Sequence, residues 1–149
     1  MGTTCTAIVV LGRQLHFAHV GDSRLYLVRK GNISRLTHDH SYVGRLVESG
    51  IVRAEDAETH PQRHILTAAL GAGLTVNVDS CEQAIELQDG DHLLLCTDGL
   101  WGMVTEEEIA KAVIQNSPAD CCAALVRLAR QRGGPDNITL QVLRIGPES

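Results

Sequence analysis

The sequence is nearly devoid of aromatic residues, with one Trp, one Phe and two Tyr among 149 positions. That excludes the stacking platforms on which bases and single strands are held. It has no excess of positive charge either. Thirteen Lys and Arg stand against 18 Asp and Glu, a formal net charge of −5, whereas a general nucleic-acid binder needs a basic face. No apolar run approaches the roughly 18–20 residues of a membrane span. The longest runs, Ala7 to Leu11 and Leu93 to Cys96, are strand-sized. A basic-then-apolar leader is also missing, so no membrane contact is expected and the chain reads as cytoplasmic. No C-x-x-C pair occurs. The five cysteines (Cys5, Cys81, Cys96, Cys121 and Cys122) are odd in number and read as reduced thiols acting as small hydrophobes, without structural zinc. Low-complexity tracts are absent, which argues against general disorder.

What is present is ordinary globular material, 44% hydrophobic and 21% charged, in a length that fits one domain. Thr3 to Leu11 is apolar and β-branched and reads as a buried strand. Gln14 to Gly21 and Arg24 to Arg29 read as two more, and Lys30-Gly31-Asn32 turns the chain into a fourth, Ile33 to Leu36. From Ser41 to Pro61 the pattern becomes helical, with Val43, Leu46 and Val47 on one face and Gly50 as a stop. Val76 to Leu87 reads as extended, and His92 to Cys96 as a central strand buried on both faces. Two helices follow. One is capped by Thr105 and Glu108, the other by Ser117 with Pro118 at its first position. Asn137 to Ile145 closes the chain as a strand. Strands, a small helical insertion, strands, two helices and a strand make an α+β architecture.

Three aspartates lie at strand ends beside or near glycine: Asp22 after Gly21, Asp98 before Gly99, and Asp136 after Gly133-Gly134-Pro135. Taken singly, each reads first as turn chemistry. Converging on one rim, such carboxylates would repel one another, and a divalent cation would relieve the repulsion. Oxygen-only ligands suit Mg²⁺, Mn²⁺ or Ca²⁺. Spacing alone carries the reading no further than a candidate divalent-cation site. His38-Asp39-His40 could be a metal cluster but reads better as a polar loop. His60-Pro61 and Arg63-His64 could contact an anion or simply cap the insertion. Met1-Gly2 with Thr6 formally fits a myristoylation start, and Asn32 and Asn137 open glycosylation sequons. All three are read as coincidences.

Six segments together resemble a known family. They are Met1-Gly2-Thr3-Thr4, Ala18 to Arg24 (with Gly21-Asp22-Ser23), Leu36 to Ser41, His60 to Gly71, Leu94 to Trp101 (with Thr97-Asp98-Gly99), and Gly133 to Thr139. In this order they are similar to the type 2C metal-dependent protein phosphatases, the PPM family, in its bacterial form. The resemblance runs from Met1 to about Ile145. It implies an α-β-β-α sandwich, here partial, with mainly antiparallel sheets, two C-terminal helices and a small flap over residues 41–64. It implies hydrolysis of phosphoserine or phosphothreonine by a water activated at two Mn²⁺ or Mg²⁺ ions. By motif, Asp98 and Asp136 match ligands of the core metal pair. Asp22 matches an aspartate that serves a third, weaker ion with Asp98. Asn137 and Gly99 would support the cluster, and Arg63 and His64 belong to the flap beside the substrate. The partners implied are phosphorylated proteins and a cognate serine/threonine kinase.

The family domain also has a stretch ahead of its Met-Gly-Thr-Thr motif. That stretch carries a phosphate-binding arginine, a metal-bridging Asp-Gly motif and two covering helices, and none of these has a counterpart in this sequence. The expectation is therefore an N-terminally incomplete domain spanning residues 1–149, a fragment whose Met1 is an internal methionine. It would be weakly active or inactive alone and open to self-association through uncovered sheet. The alternative is a pseudophosphatase that holds phosphoproteins without turnover.

Overall fold

A computed structural model describes residues 1–147. The chain begins with a hairpin, β1 (Cys5–Leu11) and β2 (Gln14–Val20), paired from Cys5–Val20 to Leu11–Gln14. A second hairpin follows, β3 (Arg24–Arg29) and β4 (Asn32–Arg35). Lys30 and Gly31 both take positive φ, 49° and 85°, the backbone that lets a two-residue turn follow the strand twist. The insertion holds α1 (Tyr42–Glu48) and α2 (Ala54–Ala57). Ser41 caps α1 by accepting from the Gly44 amide, and Gly50 at φ 73° lies just beyond its end. Then come β5 (Asp79–Ser80), β6 (Ile85–Glu86), β7 (His92–Cys96), α3 (Asp98–Trp101), α4 (Glu106–Gln115), α5 (Pro118–Gln131) and β8 (Leu140–Arg144).

Two antiparallel sheets result. In one, β2 pairs β1 along one side and the short β5 and β6 along the other; the second runs β4-β3-β7-β8. The apolar run of β3 is explained by burial on two sides. Leu25 and Leu27 face Leu15, Leu87 and Leu93 between the sheets, while Tyr26 and Val28 face Leu100, Ile109, Val113 and Leu125 beneath the helices. Each fully buried Leu or Ile on these faces contributes roughly 1.5–3 kcal/mol. The expected capping box at Thr105 and Glu108 is present, as is the Ser117 cap with Pro118 behind it. The layers are thus sheet, sheet and helices, a partial α-β-β-α sandwich of the α+β class. Among the described residues no helix is long and apolar enough to cross a membrane.

Two expectations need correction. The first strand is not buried: Val9 and Leu11 are 54% and 61% exposed. Among the described residues β1 pairs only with β2. Ile8 turns in toward the inter-sheet core, while Cys5, Ala7, Val9 and Leu11 on the opposite face are open to solvent. The extended stretch 76–87 joins the sheet at two places, where β5 and β6 each bond β2 over two residues. Asp98-Gly99 is not a simple turn but opens α3, with Thr97 as its N-cap.

Candidate active site

Four apolar residues of β7 deliver Thr97 and Asp98 to the C-terminal end of this central strand. The loop that leaves α5 comes alongside. The Thr97 amide donates to the Thr139 carbonyl at 3.0 Å, and the Thr139 amide returns a bond to Thr97 Oγ1 at 3.1 Å. A side chain at position 99 would block this approach, since a Cβ there would lie 2.2 Å from the Asn137 carbonyl oxygen. Gly99 therefore lets the Asp98 and Asp136-Asn137 segments meet. Asn137 contributes its backbone, its carbonyl packing on Gly99, and both Asp136 and Asn137 are exposed. Asp136 accepts from the Asn137 amide at 2.7 Å.

Asp22 arrives from β2. Gly21 turns at φ 112°, where an added Cβ would sit 2.3 Å from the Thr4 methyl. The Trp101 indole N–H, at the far end of α3, donates to the Asp22 carbonyl at 2.9 Å. Burial, then the charge of Asp98, then that of Asp39, push the Asp22 carboxyl up to about 6. Asp22 and Asp98 thus lie within electrostatic reach in a partly dry setting. They are hard oxygen donors, and one of them is uncomfortable as an uncompensated anion, so the pair fits a Mg²⁺- or Mn²⁺-like cation. Among the described residues no group of three or more His, Cys, Asp or Glu is gathered to hold a metal.

Beside the pair lies a constellation that sequence reasoning missed. Arg24 is 3% exposed and grips Asp39 with two bonds, Nε to Oδ1 at 3.0 Å and Nη2 to Oδ2 at 2.7 Å. It also donates to the Tyr26 hydroxyl at 3.2 Å, and its guanidinium carbon stands 3.6 Å from the centre of a Trp101 ring. Burial opposes its charge, but the Asp39 bonds outweigh that and hold its pKa above the ordinary range. An arginine at the head of the Leu25–Val28 run was the available signal, since a buried charge demands a partner.

His38-Asp39-His40 is not a metal cluster, because its members point to different partners. The His38 carbonyl accepts from His19 Nε2, Asp39 binds Arg24, and His40 bonds Gly21 and Asp79. Arg63 is half-buried and lines a cavity of about 430 Å³ between α1, α2 and the body, together with Arg24, Asp39, Glu58 and Trp101. His64 is exposed and stands outside that lining. The five cysteines are all free; Cys96 and Cys121 are buried, and burial pushes the Cys96 thiol up to about 12.

Comparison with known proteins converges on one family. The family model for Protein phosphatase 2C matches residues 1–45. Protein phosphatase PhpP of Streptococcus pneumoniae is 39% identical over 149 residues, 99% of this chain and 60% of PhpP. Serine/threonine phosphatase Stp1 from Staphylococcus aureus superposes with a TM-score of 0.91 at 35% identity, over 99% of this chain and 57% of Stp1. The catalytic domain of serine threonine protein phosphatase PstP, solved in complex with two manganese ions, gives a TM-score of 0.84 at 36% identity, over 99% of this chain and 60% of that one. The chain therefore spans well under two thirds of the length of each. On these matches in sequence and in fold, the chain belongs to the type 2C, or PPM, family of protein phosphatases.

Proposed function

We propose that this chain supplies part of the catalytic centre of a divalent-cation-dependent phosphoserine and phosphothreonine protein phosphatase. The observation that carries the reading is the approach of the Asp136-Asn137 segment to Asp98 across Gly99, beside a half-buried Asp22 carboxyl that feels the Asp98 charge. Asp98, Asp136 and Asp22 would hold Mn²⁺ or Mg²⁺, two core ions and a third. When bound, such ions supply electrophilic activation of water and neutralise charge gathering at phosphorus. The remaining work belongs to the chain's own side chains. Arg24 and Asp39 fix Trp101, which in turn fixes the backbone of Asp22. Residues 41–64 form a flap, and Arg63 presents positive charge to an incoming phosphorylated segment at the cavity beneath it. The substrates are phosphorylated proteins, and the reaction that supplies them is that of a serine/threonine kinase.

Turnover by the 149-residue chain is expected to be weak or absent, because the bridging Asp-Gly carboxylate of the family has no counterpart in it. The cavity lined by Arg63, which can attract a phosphorylated segment without a cation, favours, as a second reading, a chain that holds phosphoproteins without turnover. Mn²⁺ binding followed by calorimetry, beside Mn²⁺-dependent hydrolysis of p-nitrophenyl phosphate and a phosphothreonine peptide, tests both. The catalytic reading expects Mn²⁺ binding and any hydrolysis to be lost together in Asp98→Ala. Hydrolysis that ignores Mn²⁺ and survives Asp98→Ala overturns it.

A further inference from the structure

We propose that His40 is a positioning residue that sets the Asp22 carboxylate against Asp98. The role rests on the reading of Asp22 as a cation ligand. His40 grips Gly21, the residue before Asp22, at both of its backbone groups. Its own amide donates to the Gly21 carbonyl at 2.8 Å, and its ring Nδ1 accepts from the Gly21 amide at 3.1 Å. An acceptor at Nδ1 fixes the tautomer, with the proton on Nε2. That Nε2–H is directed at the Asp79 carboxylate, 2.9 Å away. The carboxylate thus orients the ring and keeps its Nδ1 lone pair turned to Gly21, as a carboxylate orients a metal-bound histidine one shell further in.

The grip is stiff because His40 itself is anchored. Its carbonyl accepts from the Thr67 amide at 2.8 Å. Its ring lies 4.9 Å from that of His19, which is 1% exposed. His19 bonds Thr6 Oγ1 at 2.8 Å and the His38 carbonyl at 3.0 Å. Gly44 allows the Asp39 carbonyl to nest where a Cβ would lie 2.3 Å from it. These contacts tie the loop to the end of β2. On the other side of Asp22, Trp101 holds its carbonyl from α3, the helix that Asp98 begins. His40 fixes the entry of the Asp22 turn and Trp101 fixes its exit. Gly21, at positive φ and without a side chain to wedge it, needs such outside support more than any other residue of the turn.

The test compares His40→Phe, which keeps a ring but has no acceptor, with His40→Asn, whose side-chain oxygen falls near the Nδ1 position. Mn²⁺ is titrated into the full chain, and affinity is read from free-ion electron paramagnetic resonance and from paramagnetic broadening of the Asp22 amide. The expected result is a loss of about tenfold in the Asp22-dependent affinity for His40→Phe, most of it recovered in His40→Asn. In an Asp22→Asn background His40→Phe should cause no further loss. Loss in Asp22→Asn with none in His40→Phe overturns the positioning role alone. No broadening at Asp22 in the wild-type chain, or full binding by Asp22→Asn, overturns the ligand reading and the positioning role with it. If His40→Phe does not fold, the wild-type protein still decides. Long-range nitrogen–proton spectra must show His40 unprotonated at Nδ1 and the Gly21 amide protected from exchange, and the opposite tautomer or a freely exchanging Gly21 amide overturns the proposal.

Discussion

Arg24 is the residue whose loss should be felt most. Truncating it to Ala leaves the Asp39 carboxylate, with a side chain only 13% exposed, without its bidentate partner, and Trp101 without the cation on its ring. Breaking a buried pair from one side costs about 3–5 kcal/mol, so urea unfolding of Arg24→Ala should show a loss on that scale. An unchanged midpoint would mean that Arg35, 3.7 Å from Asp39, takes over. Asp22 gives a prediction of opposite character. Its pKa is raised in the fold from the ordinary 3.8 to about 6, so the folded state prefers its protonated form. The stability this confers is fully present below pH 3.8 and is lost as pH rises through about 6. Metal-free Asp22→Asn should therefore lack that decline, and the gap between its unfolding curve and that of the wild type should open between those two values. Parallel curves across the window would refute the assignment.

At the scale of elements, the crossing of α3 with the 133–139 loop depends on a missing side chain. In Gly99→Ala the new Cβ meets the Asn137 carbonyl at 2.2 Å, and backbone cannot yield as a flexible side chain can. A loss of roughly 1–3 kcal/mol is expected from such overpacking, with weaker Mn²⁺ binding because the Asp136 segment is displaced. Thermal melts and calorimetry on one preparation would check both. The elements also show what could be read in advance. The α4 and α5 starts were legible because capping is local: Thr105 with Glu108, and Ser117 before Pro118, state their geometry within four residues. The central strand β7 was legible from its unbroken apolar run. The Arg24–Asp39 pair was hidden because its partners lie 15 residues apart, and nothing in either segment names the other. The helix at Asp98 was hidden because Asp-Gly has strong turn chemistry of its own. The strand β1 was misread for a different reason, since an apolar run looks the same whether or not something lies over it.

At the scale of the molecule, β1 is the open edge of the first sheet among the described residues. Its outer edge has no strand partner among the described residues, and Val9 and Leu11 are exposed beside it. Natural sheets blunt such edges with charge, so Val9→Lys should reduce concentration-dependent self-association, measured by analytical ultracentrifugation. Identical sedimentation of variant and wild type would place any association elsewhere. A partner at that edge would make the melting temperature of this chain a property of its surroundings. Any polypeptide that pairs with β1 only in the folded state stabilises the fold by mass action, by about 2.7 kcal/mol at a concentration one hundred times its Kd. Dilution removes that contribution, so a fold that is secure at high concentration can unravel at low concentration without the change of a single residue.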